Sequence, residues 1–95
     1  MKPELKGGIA AISQAGRDKG RPYVVLYELD ADFVMVCDGG IRTMDRPKKK
    51  RRKHLLPTRH EMPDFASRLN GKTLRDQEIR SFLERFTNLT PTDLA

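Results

Sequence analysis

The run Tyr23-Val24-Val25-Leu26-Tyr27-Glu28-Leu29-Asp30-Ala31-Asp32-Phe33-Val34-Met35-Val36-Cys37-Asp38-Gly39-Gly40 contains two strands and the turns that bound them. Val24, Val25, Leu26 and Tyr27 are strand formers that place apolar side chains on both faces of an extended chain. Asp30-Ala31-Asp32 favours a turn, and Phe33 to Asp38 predicts the next strand, so the two pair as neighbours in an antiparallel meander. Gly39-Gly40 supplies positions of positive φ for a tight turn before a fourth strand, Ile41-Arg42-Thr43-Met44. Pro47 has no N–H for the ladder and ends that strand, while His54-Leu55-Leu56, before Pro57, predicts a fifth, edge strand. Upstream, Gly8-Ile9-Ala10-Ala11-Ile12-Ser13 reads as the first strand. Four or five short strands in about 50 residues predict a mainly β domain, a small barrel that closes on itself and removes most of its edges.

After Thr58 the period changes. Pro63 to Leu69 predicts a short helix, with Pro63 near its start, Phe65 and Leu69 four apart on one face, and Gly71 just past its end. Thr73 as N-cap, with Asp76 at the third helical position, predicts the main helix from Leu74 to Phe86. Ile79, Phe82, Leu83 and Phe86 fall at i, i+3, i+4 and i+7, a narrow apolar stripe. A helix this short is marginal alone in water, so its stripe docks either on the doubly apolar strands or on a partner protein. The strands are the natural receiving surface. Asn88 to Ala95, with Pro91 and small polar residues, reads as a frayed tail. The chain thus divides into a barrel at 1–58, which includes the basic run 46–54, and a helical extension at 59–95.

Charge is concentrated in one place. Lys48-Lys49-Lys50-Arg51-Arg52-Lys53 is followed by His54, and between Arg42 and Arg59 nine Lys or Arg meet one acid, Asp45, for a local charge of +8. The remainder holds ten basic and twelve acidic residues and sums to −2, so the net +6 originates in this segment. Such a block attracts a polyanion, and nucleic acid is the commonest one; a solvated surface run or an import signal is the plainer alternative. Arg42, Arg46, Lys48, Lys49, Lys50, Arg51, Arg52, Lys53 and His54 are therefore candidate nucleic-acid contacts. A second signal is the loop Ala15-Gly16-Arg17-Asp18-Lys19-Gly20-Arg21. Its glycines permit a sharp turn of positive φ, Asp18 is placed to accept from loop amides two residues on, and Arg17, Lys19 and Arg21 project outward. From spacing alone, an ordinary charged hairpin loop and a phosphate-contacting loop fit equally well.

Other classes of function find little footing. The single Cys37 lies in an apolar stretch and suits a reducing compartment, and with His54 and His60 it makes no zinc or haem spacing. No long apolar run suggests a membrane span or leader peptide, so a cytoplasmic monomer without metal or cofactor is expected. Glu28, Asp30 and Asp32 form an acidic series at a strand end that turn chemistry explains, and no nucleophile lies beside a histidine, so no enzyme is expected. The chain has no Trp, two Tyr and four Phe. Of these, Tyr23, Tyr27, Phe33, Phe65, Phe82 and Phe86, most fall at predicted core positions. Stacking platforms are thus scarce and recognition by backbone and shape is expected.

The segment from Gly8 to Leu29, with its apolar strand, the loop Ala15 to Arg21 and then Tyr23-Val24-Val25-Leu26, resembles the KOW motif of ribosomal proteins and transcription elongation factors. The likeness continues through Val34-Met35-Val36-Cys37-Asp38-Gly39 and Pro47-Lys48-Lys49-Lys50 to His54-Leu55. That extended pattern is similar to small bacterial KOW-domain RNA-binding proteins, related to the archaeal and eukaryotic large-subunit ribosomal proteins numbered fourteen-e, six-e and twenty-seven-e. It covers about the first 60 residues, and the helix from Leu74 to Phe86 resembles the C-terminal extension of the bacterial members. The resemblance implies an SH3-like β-barrel that binds RNA, often ribosomal RNA, with Arg17, Lys19 and Arg21 as contacts from the first inter-strand loop. Pro22 departs from the pattern, and its ring is expected to delay the second strand. The function expected is thus a non-enzymatic, ribosome-associated RNA binder whose contacts are mainly to phosphate. An adaptor that binds proteins of the translation or transcription machinery is the alternative.

Overall fold

The computed structural model describes residues 4–86. Five strands form one antiparallel sheet: β1 (Ile9–Ser13), β2 (Pro22–Glu28), β3 (Phe33–Cys37), β4 (Lys48–Arg51) and β5 (Leu55–Glu61), in the order β4-β3-β2-β1-β5. A 3-10 turn, Arg52–His54, joins the two edge strands. Two helices follow, α1 (Phe65–Asn70) and α2 (Asp76–Leu83), the second continued by the 3-10 turn Glu84–Phe86. The tail expected at Asn88 to Ala95 lies outside the described residues.

Alternation along the strands explains why β2 is apolar on both faces from Tyr23 to Leu26: that stretch has a core on each side. On one face, Ala10 and Ile12 of β1, Val24 and Leu26 of β2 and Cys37 of β3 pack against Met62, α1 through Phe65, and the stripe Ile79, Phe82, Leu83 and Phe86. The apolar stripe therefore docks within the chain, and Ile79 at its centre is fully buried. On the second face, Ala11, Tyr23, Val25, Val34, Val36 and Leu55 form a separate cluster with Leu5 against it. Each buried aliphatic side chain contributes about 1.5–3 kcal/mol relative to exposure, so both faces are strongly held.

Several expectations are corrected by tertiary contacts. Ile41 to Met44 is not a strand. The turn at Gly39 forms, with φ +78°, but the segment folds back on the turn and on α2: Arg42 N–H donates to Asp38 Oδ1 at 3.0 Å and its carbonyl accepts from the Asp38 and Gly39 N–H groups, the Met44 N–H donates to Asp76 Oδ1 at 2.9 Å, and Arg80 Nη1 holds the Gly39 carbonyl at 2.9 Å. The fourth strand is the basic run itself. Asp76 is thereby diverted from the expected cap position, the helix begins at Asp76, and Arg75 in place of Thr73 is the N-cap residue, its backbone N–H donating to Glu78 Oε2 at 3.0 Å. Pro22 does not delay β2; it opens the strand opposite Ile12. Pro57 does not end β5, which pairs with β1 on the side away from β2 and runs from Leu55 to Glu61, five residues past Leu56; an edge strand tolerates a missing N–H.

Candidate nucleic-acid interface

The β1–β2 loop is built around Asp18. Gly16 and Gly20 adopt φ of +83° and +89°, so the chain reverses sharply at both ends of the loop. Gly20 N–H donates to the Ser13 carbonyl and Ser13 N–H to the Arg21 carbonyl, closing the base of the turn at 2.8 and 3.0 Å. The Asp18 side chain does not bond to loop amides. It points inward and accepts from Ser13 Oγ (2.8 Å), Tyr23 Oη (2.8 Å), Lys48 Nζ (3.0 Å) and Lys50 Nζ (2.9 Å). Lys50 Nζ reaches the Ala15 carbonyl as well, at 3.3 Å. The loop is thus clipped to a strand thirty residues away in sequence.

Burial works to raise the Asp18 carboxyl, but the hydrogen bonds from Lys50, Lys48, Tyr23 and Ser13 outweigh it and hold the group well below the usual carboxylate range. Tyr23 is pushed up to about 12, first by burial and then by the bond its hydroxyl donates to Asp18. The cluster is a buried anion with two ammonium partners and two hydroxyl donors.

This cluster divides the basic run by strand alternation. Lys48 pairs with Val36 and Lys50 with Val34, so both point to the second face of the sheet and to Asp18; Lys50 is only 8% exposed. Lys49 pairs with Met35 and Arg51 with Phe33 on the opposite side. There the Lys49 ammonium lies 4.3 Å from the Phe33 ring centroid and the Arg51 guanidinium 4.9 Å. Arg52 turns back to the β2–β3 turn, donating to Glu28 Oε1 at 3.0 Å and to the Asp30 carbonyl at 2.9 and 3.0 Å. Lys53 is exposed, and His54 is half-buried with its carbonyl accepting from Gln14 N–H at 2.8 Å.

Of the twelve residues named from sequence, Arg17, Lys19, Arg21, Lys49, Arg51 and Lys53 are exposed on the loop, on β4 and at its end. Arg42 and Arg46 are exposed on the turn that α2 holds, where Gly40 and Ile41 border a shallow depression shared with Arg21 and Pro22. The expectation of an outward-facing block is corrected for Lys50, which is interior, and modified for Lys48 and Arg52, whose charges are engaged within the chain. Among the described residues no group of three or more His, Cys, Asp or Glu is placed to hold a metal ion, and no helix is long and apolar enough to cross a membrane. No known family model matches the chain.

Two features escaped the sequence. Ser13 and Tyr23 read as strand residues, and their role as partners of Asp18 was signalled only by the presence of one acid in an otherwise cationic loop. Tyr27 and Phe33 lie in strands that read as apolar on both faces, yet Tyr27 is 46% exposed and Phe33 half-buried. The cause is a register shift between Val25 and Tyr27: Val25 sits opposite Val36 but Tyr27 opposite Met35. One extra residue on β2 turns Tyr27 out of the second core.

Proposed function

We propose that this chain is a non-enzymatic RNA-binding protein of the KOW type, an SH3-like barrel that grips the phosphate backbone of structured, foremost ribosomal, RNA. The observation that carries the reading is the tie between the two basic segments. Asp18 binds Lys48 and Lys50, so a rigid loop bearing Arg17, Lys19 and Arg21 is held against the strand that bears Lys49 and Arg51. A loop already held in place has less backbone to order on meeting phosphate, and the combined field of its cations raises the association rate. Barrel closure is supported by the second core cluster. It unites Val34 and Val36 of β3 with Leu55 of β5, although two strands separate β3 from β5 in the sheet order.

The test separates the two faces of β4. Lys49, Arg51 and Lys53 replaced together by Gln should weaken binding of the purified protein to ribosomal RNA fragments while leaving its thermal unfolding near that of the parent. Ultraviolet crosslinking in cells, followed by sequencing of the attached RNA, should then give reads concentrated at sites in large-subunit ribosomal RNA. Unchanged affinity in the triple variant, or no crosslinks above background, would sink the RNA reading. The adaptor alternative has one observation in its favour, Ile41 at 75% exposure beside Leu83 and Pro22. Partner capture that survives nuclease treatment and is lost in Ile41→Asp would establish it.

A further inference from the structure

The second readout of the register shift in β2 is an aromatic surface among cations. Tyr27 lies opposite Met35, Met35 opposite Lys49, and Phe33 opposite Arg51, so these five side chains share one face across three adjacent strands. Among the described residues the helices do not cover them: none of Phe33, Met35 and Tyr27 belongs to, or packs against, either core cluster. A half-exposed Tyr beside a half-buried Phe forgoes burial energy that the fold gains elsewhere, about 25 cal/mol for each Å² of apolar surface left in water.

We propose that this face of β2, β3 and β4 stacks an unpaired base of single-stranded RNA on the rings of Phe33 and Tyr27, with Lys49 and Arg51 meeting the flanking phosphates. The inference rests on the RNA-binding reading above and adds the unpaired segments of such a structured RNA, together with the subsite that takes them. Its chemistry is that of sequence-tolerant single-strand binders, in which aromatic rings take the π-face of any base and neighbouring cations follow the backbone. The cations are already at hand: Lys49 and Arg51 lie over the Phe33 ring, 4.3 and 4.9 Å from its centroid, and swing from it to the flanking phosphates as the base takes the ring face. Of the nearby carboxylates, Glu28 and Asp30 are engaged by the chain. Glu28 accepts from Arg52, and Asp30 Oδ1 accepts the backbone N–H groups of Asp32 and Phe33 at 2.8 Å each, which also fixes the backbone that carries the ring. Asp32, at the turn, supplies its carbonyl to the Arg52 N–H at 2.9 Å. A duplex offers this surface only ribose and phosphate, because its bases are stacked on each other; a single strand offers the base as well.

The experiment titrates full-length protein with a single-stranded oligoribonucleotide carrying one 2-aminopurine, and with a duplex of equal phosphate number, in wild type and in the Tyr27→Leu, Phe33→Leu double variant. Leu fills the apolar space without a ring, and thermal unfolding checks that the variant is folded. The wild type should quench 2-aminopurine fluorescence on binding, and the variant should lose the quench together with about tenfold or more of its single-strand to duplex affinity ratio. An unchanged ratio, or no quench in the wild type, overturns the stacking subsite and leaves phosphate binding standing. Absence of binding to either RNA overturns both readings.

Discussion

Replacing Asp18 by Asn removes a charge from between two ammonium groups and leaves Lys50 interior with a positive charge uncompensated. Breaking a buried ion pair by removing one partner costs about 3 kcal/mol, so the urea midpoint of Asp18→Asn should fall accordingly. Adding Lys50→Met to that variant should recover part of the loss, because an apolar side chain of similar length suits the second core. The pH dependence follows from the same contacts. Asp18 is held below the ordinary carboxylate range in the fold and titrates near 3.9 when unfolded. Its contribution is complete above about pH 5 and fades as pH falls through 4 and below; Asp18→Asn should show a flatter acid limb in that window. The alkaline limb has the opposite sign. Tyr23 and Cys37 are each pushed up to about 12, Cys37 by burial and then by the charges of Asp76 and Asp38. The unfolded chain therefore releases protons from about pH 8.5 for the thiol and about pH 10 for the phenol while the folded chain retains them, and stability should decline from there to about pH 12. At neutral pH a thiol reagent should label Cys37 far more slowly than in the urea-unfolded protein, at a rate that reports opening of the helix face.

At the scale of elements, α2 holds the fold together by what it contacts as much as by its stripe. It covers the first core with Ile79, Phe82 and Leu83, and it captures the turn after β3 through Arg80 and Asp76. Gly39 is where the two meet: its φ is +78°, and a Cβ there would collide with the Asp76 carbonyl oxygen and with Arg80. Gly39→Ala should therefore cost about 2 kcal/mol or more, from left-handed strain together with displacement of the helix. Ile79→Ala, which only empties a site, should cost about 2–5 kcal/mol. Hydrogen exchange distinguishes them. The glycine variant should lose protection in α2 and in the turn at residues 38–46 together, whereas Ile79→Ala should weaken α2 first. At the helix start, the Glu78 carboxyl is held below its usual range by Arg68, whose Nη2 donates to it at 2.7 Å, and by the Arg75 backbone.

Across the whole molecule the net +6 is not the charge that a polyanion meets. Lys50 is interior, and Lys48 and Arg52 are paired with Asp18 and Glu28, while Arg17, Lys19, Arg21, Lys49, Arg51 and Lys53 are exposed. Six phosphate contacts correspond to a slope of log K against log salt of about −4 for a single strand and about −5 for a duplex. Replacing Lys49, Arg51 and Lys53 with Gln should reduce the single-strand slope by about 2, whereas Lys48→Gln with Lys50→Gln should lower the unfolding midpoint with little change in slope. A slope equally sensitive to both sets would contradict the division of the run into inward and outward charges.

Much of this architecture was legible from residue order. The strands around Tyr23 to Leu29 and Phe33 to Cys37 were set by β-branched and aromatic side chains, the loop by Gly16 and Gly20, and the docking stripe by the spacing of Ile79, Phe82, Leu83 and Phe86, because these signals are local and periodic. The basic run has no alternation in its residue types, so nothing local marks it as β4 or says which lysines face inward; pairing with β3 and the carboxylate of Asp18 decide that. Nor does period-two reading foresee that one extra residue in β2 turns Tyr27 to the surface. Sequence by itself determined a small β-rich domain with a concentrated positive charge and a helix in need of a surface. Only the tertiary structure decided which charges neutralise one another and which rings reach solvent, since both depend on strand register and on groups thirty residues apart meeting in space.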